Sequence, residues 1–285
     1  MPARKNWIMG TYTGRKVIII NGENTMEAFQ VNRYLNSLFS DLKEDTVDRV
    51  IYGDSDREVK GITVAWMPYR WVLEKTHALG ANVLVTHEPT FYDHRDLAGK
   101  LADIPATTEK QKLIDELGIT VIRCHDVWDA LPEIGNPFAW GDFLELGAPV
   151  DGERYYNIYE VSPQSARSFA RYVAGKTHQL GQPTIGFYGD PDREVRKVGL
   201  GTGCICDPFK MYKMGADLAI SVDDTVRAWV AGEWCQDEGN PLLVVNHCVS
   251  EELGIVTLAN HIREVFSDVP VTHIPQQCTF QSITA

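Results

Sequence analysis

Short apolar runs alternate along the first half of the chain with longer stretches whose apolar residues recur at helical spacing. The runs 61–66, 82–86 and 119–124 predict strands, and the stretches 69–79 and 107–117 between them predict helices. Strands separated by helices in this way indicate βαβ units, in which the strands lie parallel in one sheet. The first half therefore has the pattern of an α/β unit.

The same alternation resumes in the second half. The residues between the halves are rich in Pro, Gly and Trp and show neither helical nor strand periodicity, which is typical of a connection. Beyond them, strands are predicted at 156–161, 184–188, 197–201, 217–221 and 242–246. We therefore predict a first α/β lobe at 1–135 that includes an N-terminal extension, a connection at 136–155 and a second α/β lobe at 156–285.

Three motifs occur in both halves in the same order. The first motif is an Asp-Arg-Glu-Val segment before a strand. The second is a Gly-Ala pair between a helix and a strand. The third is a strand that runs into His-x-x-x-Asp in the first half and into His-x-x-x-Glu in the second. They lie at 56–60 and 192–196, at 79–85 and 214–220, and at 119–129 and 242–251. This order predicts an internal duplication, with two similar α/β lobes whose mostly parallel sheets are flanked by helices.

Polar side chains follow the predicted strand ends. His87 and Glu88 come directly after the strand that ends at Thr86. In open α/β sheets, ligands bind at the carboxyl ends of the strands, because helix N-termini and loop backbones meet there. A histidine and a carboxylate in this position could supply two neighbouring cations.

Two further pairs have i,i+4 spacing. His125 with Asp129, and His247 with Glu251, each follow a predicted strand. If each pair begins a helix, its side chains lie about 5–6 Å apart on one face and can reach one ion. The alternatives are a hydrogen-bonded structural histidine, a turn or cap role for Asp129, and for Glu251 a first-turn acid that interacts with the helix dipole.

A mixed set of imidazole and carboxylate ligands favours a transition metal over calcium. Two ions roughly 3.5–4 Å apart would polarise a substrate oxygen and lower the pKa of a shared water molecule. Because equivalent strand ends of the two copies can face each other, we expect two divalent ions in a site between the lobes. The ligands that we predict are His87, Glu88, Asp129, His247 and Glu251.

Composition and charge exclude several other classes of protein. A formal net charge of −12 without a Lys/Arg-rich stripe disfavours nucleic acid as a ligand. No apolar run approaches the roughly 18 residues of a membrane span, and the first residues lack the apolar core of a secretory signal. We expect a cytoplasmic protein without a membrane partner, whose six cysteines are mostly reduced and buried.

The glycine-rich segment 199–203 follows a predicted strand and could approach a phosphate group. It lacks the third glycine at the spacing of a nucleotide-binding loop, so we interpret it as a tight turn.

Five segments resemble the family called GTP cyclohydrolase 1 type 2-like, or Nif-three-like. They are 53–59, 79–89, 117–129, 214–220 and 246–251, and the second and fifth are the most specific. The resemblance extends roughly from Asp45 to Phe280. It implies a two-lobed α/β protein that assembles into a toroidal homo-hexamer and holds a dinuclear metal centre.

By this resemblance, His87, Asp129, His247 and Glu251 are metal ligands, with Glu251 as the bridge, and His125 supports the ligands from just outside the centre. The family usually has two successive histidines where this chain has His87 and Glu88. A carboxylate in place of an imidazole changes the net charge of the centre, its metal preference or its occupancy. The two divalent ions are zinc, iron, manganese or nickel.

The leading functional hypothesis is a metal-dependent hydrolase, cyclohydrolase-like or phosphoesterase-like, that acts on a small phosphorylated, nucleotide-like or cyclic-amide substrate. The alternative is a non-catalytic assembly that binds metal or nucleotide and regulates or sequesters a partner. Metal ligands are common to both hypotheses, so the sequence alone does not separate them.

Overall fold

The structure is a computed structural model that describes residues 7–12, 15–20 and 25–283. Contacts between Cα atoms divide the chain into two compact units. The first comprises Met1–Val127 and His261–Ile274, and the second comprises Trp128–Asn260 and Pro275–Ala285. This division differs from the predicted order of lobe, connection and lobe, because the chain returns to the first unit near its end.

The first unit begins with an antiparallel pair of strands, β1 (Trp7–Tyr12) and β2 (Arg15–Ile20). Its other elements, in chain order, are α1 (Ala28–Ser37), β3 (Val50–Tyr52), β4 (Ile62–Ala65), α2 (Arg70–Ala78), β5 (Val83–Thr86), a 3₁₀ turn (Asp96–Ala98), α3 (Pro105–Leu117) and β6 (Thr120–Arg123). After β6 comes the short helix α4 (Asp126–Ala130).

The second unit contains α5 (Asn136–Phe143), β7 (Asp151–Glu153), β8 (Tyr156–Ser165), α6 (Ala166–His178), β9 (Gly186–Tyr188), β10 (Glu194–Gly201), α7 (Pro208–Lys213), β11 (Leu218–Val222), a π-helical turn (Ala228–Gly232), α8 (Glu233–Glu238) and β12 (Leu242–Val245). The long helix α9 (His247–Val265) follows, and the chain then forms β13 (Val271–His273). The predicted connection at 136–155 thus contains a helix and a strand of this unit.

Each unit is built around one larger sheet. In the first unit the strand order is β13-β4-β5-β6-β3, and only β3 is antiparallel to its neighbour. In the second unit the order is β7-β8-β10-β11-β12-β9, with a parallel centre β10-β11-β12 and antiparallel strands on both sides. The predicted fold class, two α/β lobes with largely parallel sheets flanked by helices, is confirmed.

The order of elements repeats between the units. In both, a helix precedes a short antiparallel strand, and three parallel strands joined by helices follow: α1-β3-β4-α2-β5-α3-β6 corresponds to α6-β9-β10-α7-β11-α8-β12. The short strand pairs with the last of the three in each case. This correspondence agrees with the duplication that the motifs predict.

The two cores are separate clusters of buried apolar side chains. In the first unit they come from β4, β5, β6 and the helices α2 and α3; in the second they come from β8, β10, β11, β12, α6 and α7. All residues of β4, β5 and β6 are buried, as expected for parallel strands covered on both faces. Among the described residues, no helix combines the length and apolarity needed to cross a bilayer.

Helix α9 packs closely at Gly254, which gives a testable prediction. A Cβ atom there would lie 2.9 Å from Asn136 Cα, so the methyl group of Gly254→Ala would push the backbone of α9 away from the backbone at Asn136. We expect it to lower the free energy of unfolding by about 1–3 kcal/mol. Gly175→Ala in α6, where no described atom lies within 4 Å of the added methyl, should instead raise it by about 0.5–1 kcal/mol.

Urea denaturation of both variants and the parent protein measures these differences. A Gly254→Ala variant as stable as Gly175→Ala would contradict the close packing of α9 at this position.

Candidate metal centre

The end of β5 fixes the backbone of His87 and Glu88. The N–H groups of both residues donate to the carbonyl oxygen of Trp66, which follows β4, over 3.1 and 2.8 Å. The imidazole of His87 is fully buried, and its Nδ1 lies 3.2 Å from the carbonyl oxygen of Cys124. A proton on Nδ1 that is donated to this carbonyl leaves the lone pair of Nε2 for a metal ion.

His125 stacks on His87. The ring centroids are 4.5 Å apart and the ring planes differ by 14°. His125 Nδ1 lies 3.0 Å from Oδ1 of Asp126, and this hydrogen bond lowers the pKa of the Asp126 carboxyl. The ring of His125 is therefore oriented by a carboxylate.

The start of α4 is held by Asp48. Its carboxylate accepts the N–H groups of His125, Asp126 and Val127 over 2.7–3.0 Å. Burial raises the pKa of Asp48, while these backbone hydrogen bonds act in the opposite direction. Asp48 satisfies N–H groups that a helix start leaves without intrahelical partners, and so fixes the position of His125.

Glu88 is paired with a buried arginine. Its Oε2 lies 3.6 Å from Nη2 of Arg123, the last residue of β6, whose side chain has no exposed surface. The Arg123 guanidinium also donates to the carbonyl oxygens of His87 and His94, over 2.9 and 2.6 Å. The sequence analysis did not identify Arg123, although an arginine inside the apolar run 119–124 is a signal of a buried ion pair.

The first turn of α9 carries the second cluster. The N–H of His247 donates to Oδ1 of Asp223 over 2.9 Å, and His247 Nδ1 lies 2.8 Å from Oδ2 of Asp224. The hydrogen bond with His247 lowers the pKa of the Asp224 carboxyl. His247 Nε2 lies 3.1 Å from Oε2 of Glu251, which is fully buried.

The separation of these two atoms fits a shared metal ion. Two ligand atoms bound to one ion at about 2.0–2.2 Å stand roughly 3.0–3.5 Å apart. If the proton of a neutral His247 is on Nδ1, where Asp224 can accept it, the lone pair of Nε2 faces Glu251, an arrangement common around protein-bound zinc.

Gly203 leaves space beside both ligand atoms. Its φ is +73°, and a Cβ atom there would lie 3.2 Å from Glu251 Oε1 and 3.8 Å from His247 Nε2. Of the glycine-rich segment 199–203, the first three residues belong to β10 and Gly203 lies in the turn that follows. The interpretation as a turn holds for Gly203, and the turn borders the candidate ligands.

Asp129 lies in α4, one helical turn after His125, and is buried. Its Oδ1 accepts a hydrogen bond of 2.7 Å from Nδ2 of Asn136, at the start of α5. Asn136 also contacts Gly254, so the Asp129 carboxylate is oriented by a densely packed part of the second unit.

Histidine, aspartate and glutamate side chains of this chain could hold a metal ion. Among the described residues, those placed close enough to others of their kind to do so are the buried His87, Glu88, Asp129 and Glu251 and the half-buried His125. The fold and these side chains together define a class: a duplicated α/β protein with imidazole and carboxylate groups at the strand ends.

The family is established by sequence. Residues 26–279 match the family model of Duf34/NIF3 (NGG1p interacting factor 3), so this chain belongs to the Duf34/NIF3 family. The Nif-three-like resemblance inferred from the five segments is thereby confirmed. No protein of curated function matches the sequence significantly.

Solved structures share the fold. The hypothetical protein SA1388 of Staphylococcus aureus is 16% identical with a TM-score of 0.76, and covers 91% of this chain and 100% of its own. A Bacillus cereus protein related to NIF3 is 14% identical with a TM-score of 0.75, over 92% of this chain and 100% of that one. Reduced HcgD from Methanocaldococcus jannaschii is 16% identical with a TM-score of 0.69, over 89% and 99%.

The two neighbouring aspartates before α9 have different roles, which can be tested. Asp223 caps the helix, so Asp223→Ala should lower the free energy of unfolding by about 1 kcal/mol. Asp224 contacts the His247 ring and accepts no backbone N–H of α9 among the hydrogen bonds described above, so Asp224→Ala should leave the metal-free protein about as stable as the parent.

Urea denaturation in the presence of a chelator measures both effects. An equal loss of stability in the two variants would contradict the assignment of separate roles.

Proposed function

We propose that this protein binds two divalent metal ions through His87, Glu88, Asp129, His247 and Glu251 and uses them to hydrolyse a small phosphorylated or nucleotide-like substrate. The main support for the proposal is that His247 contacts Asp224 through one ring nitrogen and Glu251 through the other. Gly203 leaves room beside His247 and Glu251. Zinc, iron, manganese and nickel are the ions that suit this ligand set.

The number of candidate ligands supports a shared centre. The sequence offers five of them, His87, Glu88, Asp129, His247 and Glu251. Two or three monodentate groups rarely compensate a divalent cation for its lost hydration, whereas five can. We therefore propose that these ligands serve one dinuclear centre, with Glu251 as its bridge.

Bound metal would supply a water molecule of lowered pKa and would polarise an oxygen of the substrate group whose phosphorus or carbon atom the water attacks. The residues of this chain prepare the centre for that chemistry. Asp224 keeps the His247 proton on Nδ1, and the Cys124 carbonyl does the same for His87. Asp126 orients His125, whose ring stacks on His87 and limits its rotation.

The proposal includes two expectations from the family resemblance: a homo-hexameric assembly and a cytoplasmic location. Sedimentation velocity of the purified protein tests the first. A monomer at micromolar concentration would exclude the hexamer and leave the metal ligands unaffected.

Metal binding should stabilise the native protein through Glu251. At a free-ion concentration a hundredfold above the dissociation constant, bound metal adds about 2.7 kcal/mol to the free energy of unfolding. Glu251→Gln keeps the shape of the side chain but removes its charge, so we expect it to abolish most of this gain. Glu264→Gln, an exposed position on the same helix, is the matched control and should keep the gain.

Thermal melts of the three proteins, after chelator treatment and with or without added zinc or manganese, provide the measurement. A metal-induced shift of the same size in the parent and in Glu251→Gln would contradict the role of Glu251. Glu252 is unsuitable as a control, because its buried carboxylate accepts the N–H groups of Gln276 and Gln277.

Hydrolysis should require the metal. We expect the protein loaded with each of the four ions to hydrolyse at least one member of a panel of nucleotides and phosphodiesters. Chelation and Glu251→Gln should both abolish turnover, and Glu264→Gln should not. Tight metal binding without turnover of any compound would reject hydrolysis and favour the non-catalytic metal-binding alternative.

A further inference from the structure

A balanced set of buried charges lies beside His87 in the first unit. It contains two carboxylates, Glu88 and Asp96, and two cations, Arg123 and Lys110. Arg123 lies 3.6 Å from Glu88 and 3.5 Å from Asp96, measured between nitrogen and carboxylate oxygen. Lys110 interacts electrostatically with Asp96. Burying such groups is costly unless they are paired, so each carboxylate here has a cation to compensate it.

Asp96 is fixed independently of Glu88. Its Oδ1 accepts the N–H groups of Thr90 and Phe91 over 2.6 and 3.0 Å, and Lys110 donates to the carbonyl oxygen of Thr90 over 2.7 Å. Asp96 and Lys110 therefore shape the loop after Glu88. The guanidinium of Arg123 is the group that links this loop to Glu88.

The charge of Glu88 is the departure from the family pattern noted above, in which a neutral imidazole occupies this position. The substitution adds one negative charge, and Arg123 adds one positive charge beside it. A guanidinium is suited to this role because it stays protonated and has five donors in a planar array. Here it donates hydrogen bonds to the His87 and His94 carbonyls and to the Asp96 carboxylate, and it forms an ion pair of 3.6 Å with the Glu88 carboxylate.

We propose that Arg123 is a positioning residue for the metal centre, which holds Oε2 of Glu88 and cancels its extra charge, so that Glu88 and Arg123 together replace one neutral imidazole. This inference rests on the proposed metal-binding function. The other carboxylate oxygen of Glu88 then serves as the ligand atom, and the centre keeps the net charge that two histidines would give it.

The proposal predicts that substitutions at the two positions depend on each other. Glu88→His alone removes one of the two carboxylates beside Arg123, so the two cations Arg123 and Lys110 keep only Asp96 and one positive charge beside the metal is uncompensated. Arg123→Met alone removes the cation that lies beside the Glu88 carboxylate. Each single substitution should weaken zinc binding about tenfold or more, the size of effect found when residues that orient metal ligands are removed. The double variant Glu88→His/Arg123→Met restores a neutral pair and should bind zinc more tightly than either single variant.

The experiment is a double-mutant cycle on the full chain. Zinc and manganese affinities of the parent, both single variants and the double variant are measured by competition with a chromophoric chelator, and urea denaturation of the chelated proteins is measured in parallel. If Arg123→Met does not fold, Arg123→Gln replaces it, because Gln is neutral but can still donate a hydrogen bond. Arg123→Lys keeps the charge, so Glu88→His/Arg123→Lys should remain as weak as Glu88→His.

Two outcomes would overturn the inference. One is additivity, in which Glu88→His changes zinc affinity by the same factor with Arg123 and with Met at position 123, whatever happens to stability. Arg123 would then be a structural residue only. The other is that the parent protein binds neither metal, which rejects the proposed function as well. Metal binding by the parent with additive variants rejects the role of Arg123 alone, so the two failures are distinguishable.

Discussion

The position of every candidate ligand depends on buried parallel strands that end abruptly. β5, β6 and β12 are four residues long and almost entirely buried, so the chain cannot carry charged groups along them without compensation. Polar residues are concentrated in the two or three positions after each strand. There the backbone still bonds to a neighbouring strand end, as His87 and Glu88 do to Trp66. The sheets thus determine both where polar side chains occur and how precisely they are placed.

The same solution for orienting an imidazole occurs at three histidines of the candidate centre. Nδ1 of His87 contacts a backbone carbonyl, and Nδ1 of His125 and of His247 contacts a carboxylate. In each case the opposite nitrogen, Nε2, points away from that partner. A neutral imidazole has only one proton, so a partner that accepts at Nδ1 determines which nitrogen can bind a cation. The duplicated fold therefore favours the Nδ1-protonated form of a neutral ring at each of these strand ends.

Much of the fold was predictable because the strands are short apolar runs separated by regular helices. The positions of β4, β5, β6, β10, β11 and β12 follow from that pattern, and the motif repeat indicated the duplication. The three-residue strands β3, β7 and β13 were not predicted, since three residues are too few to show a period of two. The return of β13 to the first sheet depends on contacts distant in sequence, which local patterns do not encode.

The candidate site was predictable only in part. Spacing and strand ends led to His247 and Glu251, which lie in contact in the structure, and to His87 and Glu88. Arg123 and Asp224 were missed as contributors. Arg123 lies in an apolar run and its pairing with Glu88 spans 35 positions in the sequence, and Asp224 is an exposed acid among many. Whether a charged residue orients a ligand depends on its neighbours in space, and spacing along the chain does not reveal them.

Gly203 shows that a metal site also needs free space beside its ligand atoms. The space beside Glu251 and His247 exists because this position has a hydrogen atom in place of a side chain, on a backbone conformation that few other residues adopt. A homologue with every ligand intact but alanine at the equivalent position would have a methyl group in that space. Histidines and carboxylates alone therefore do not define the room at this site, because the residue at position 203 also determines it.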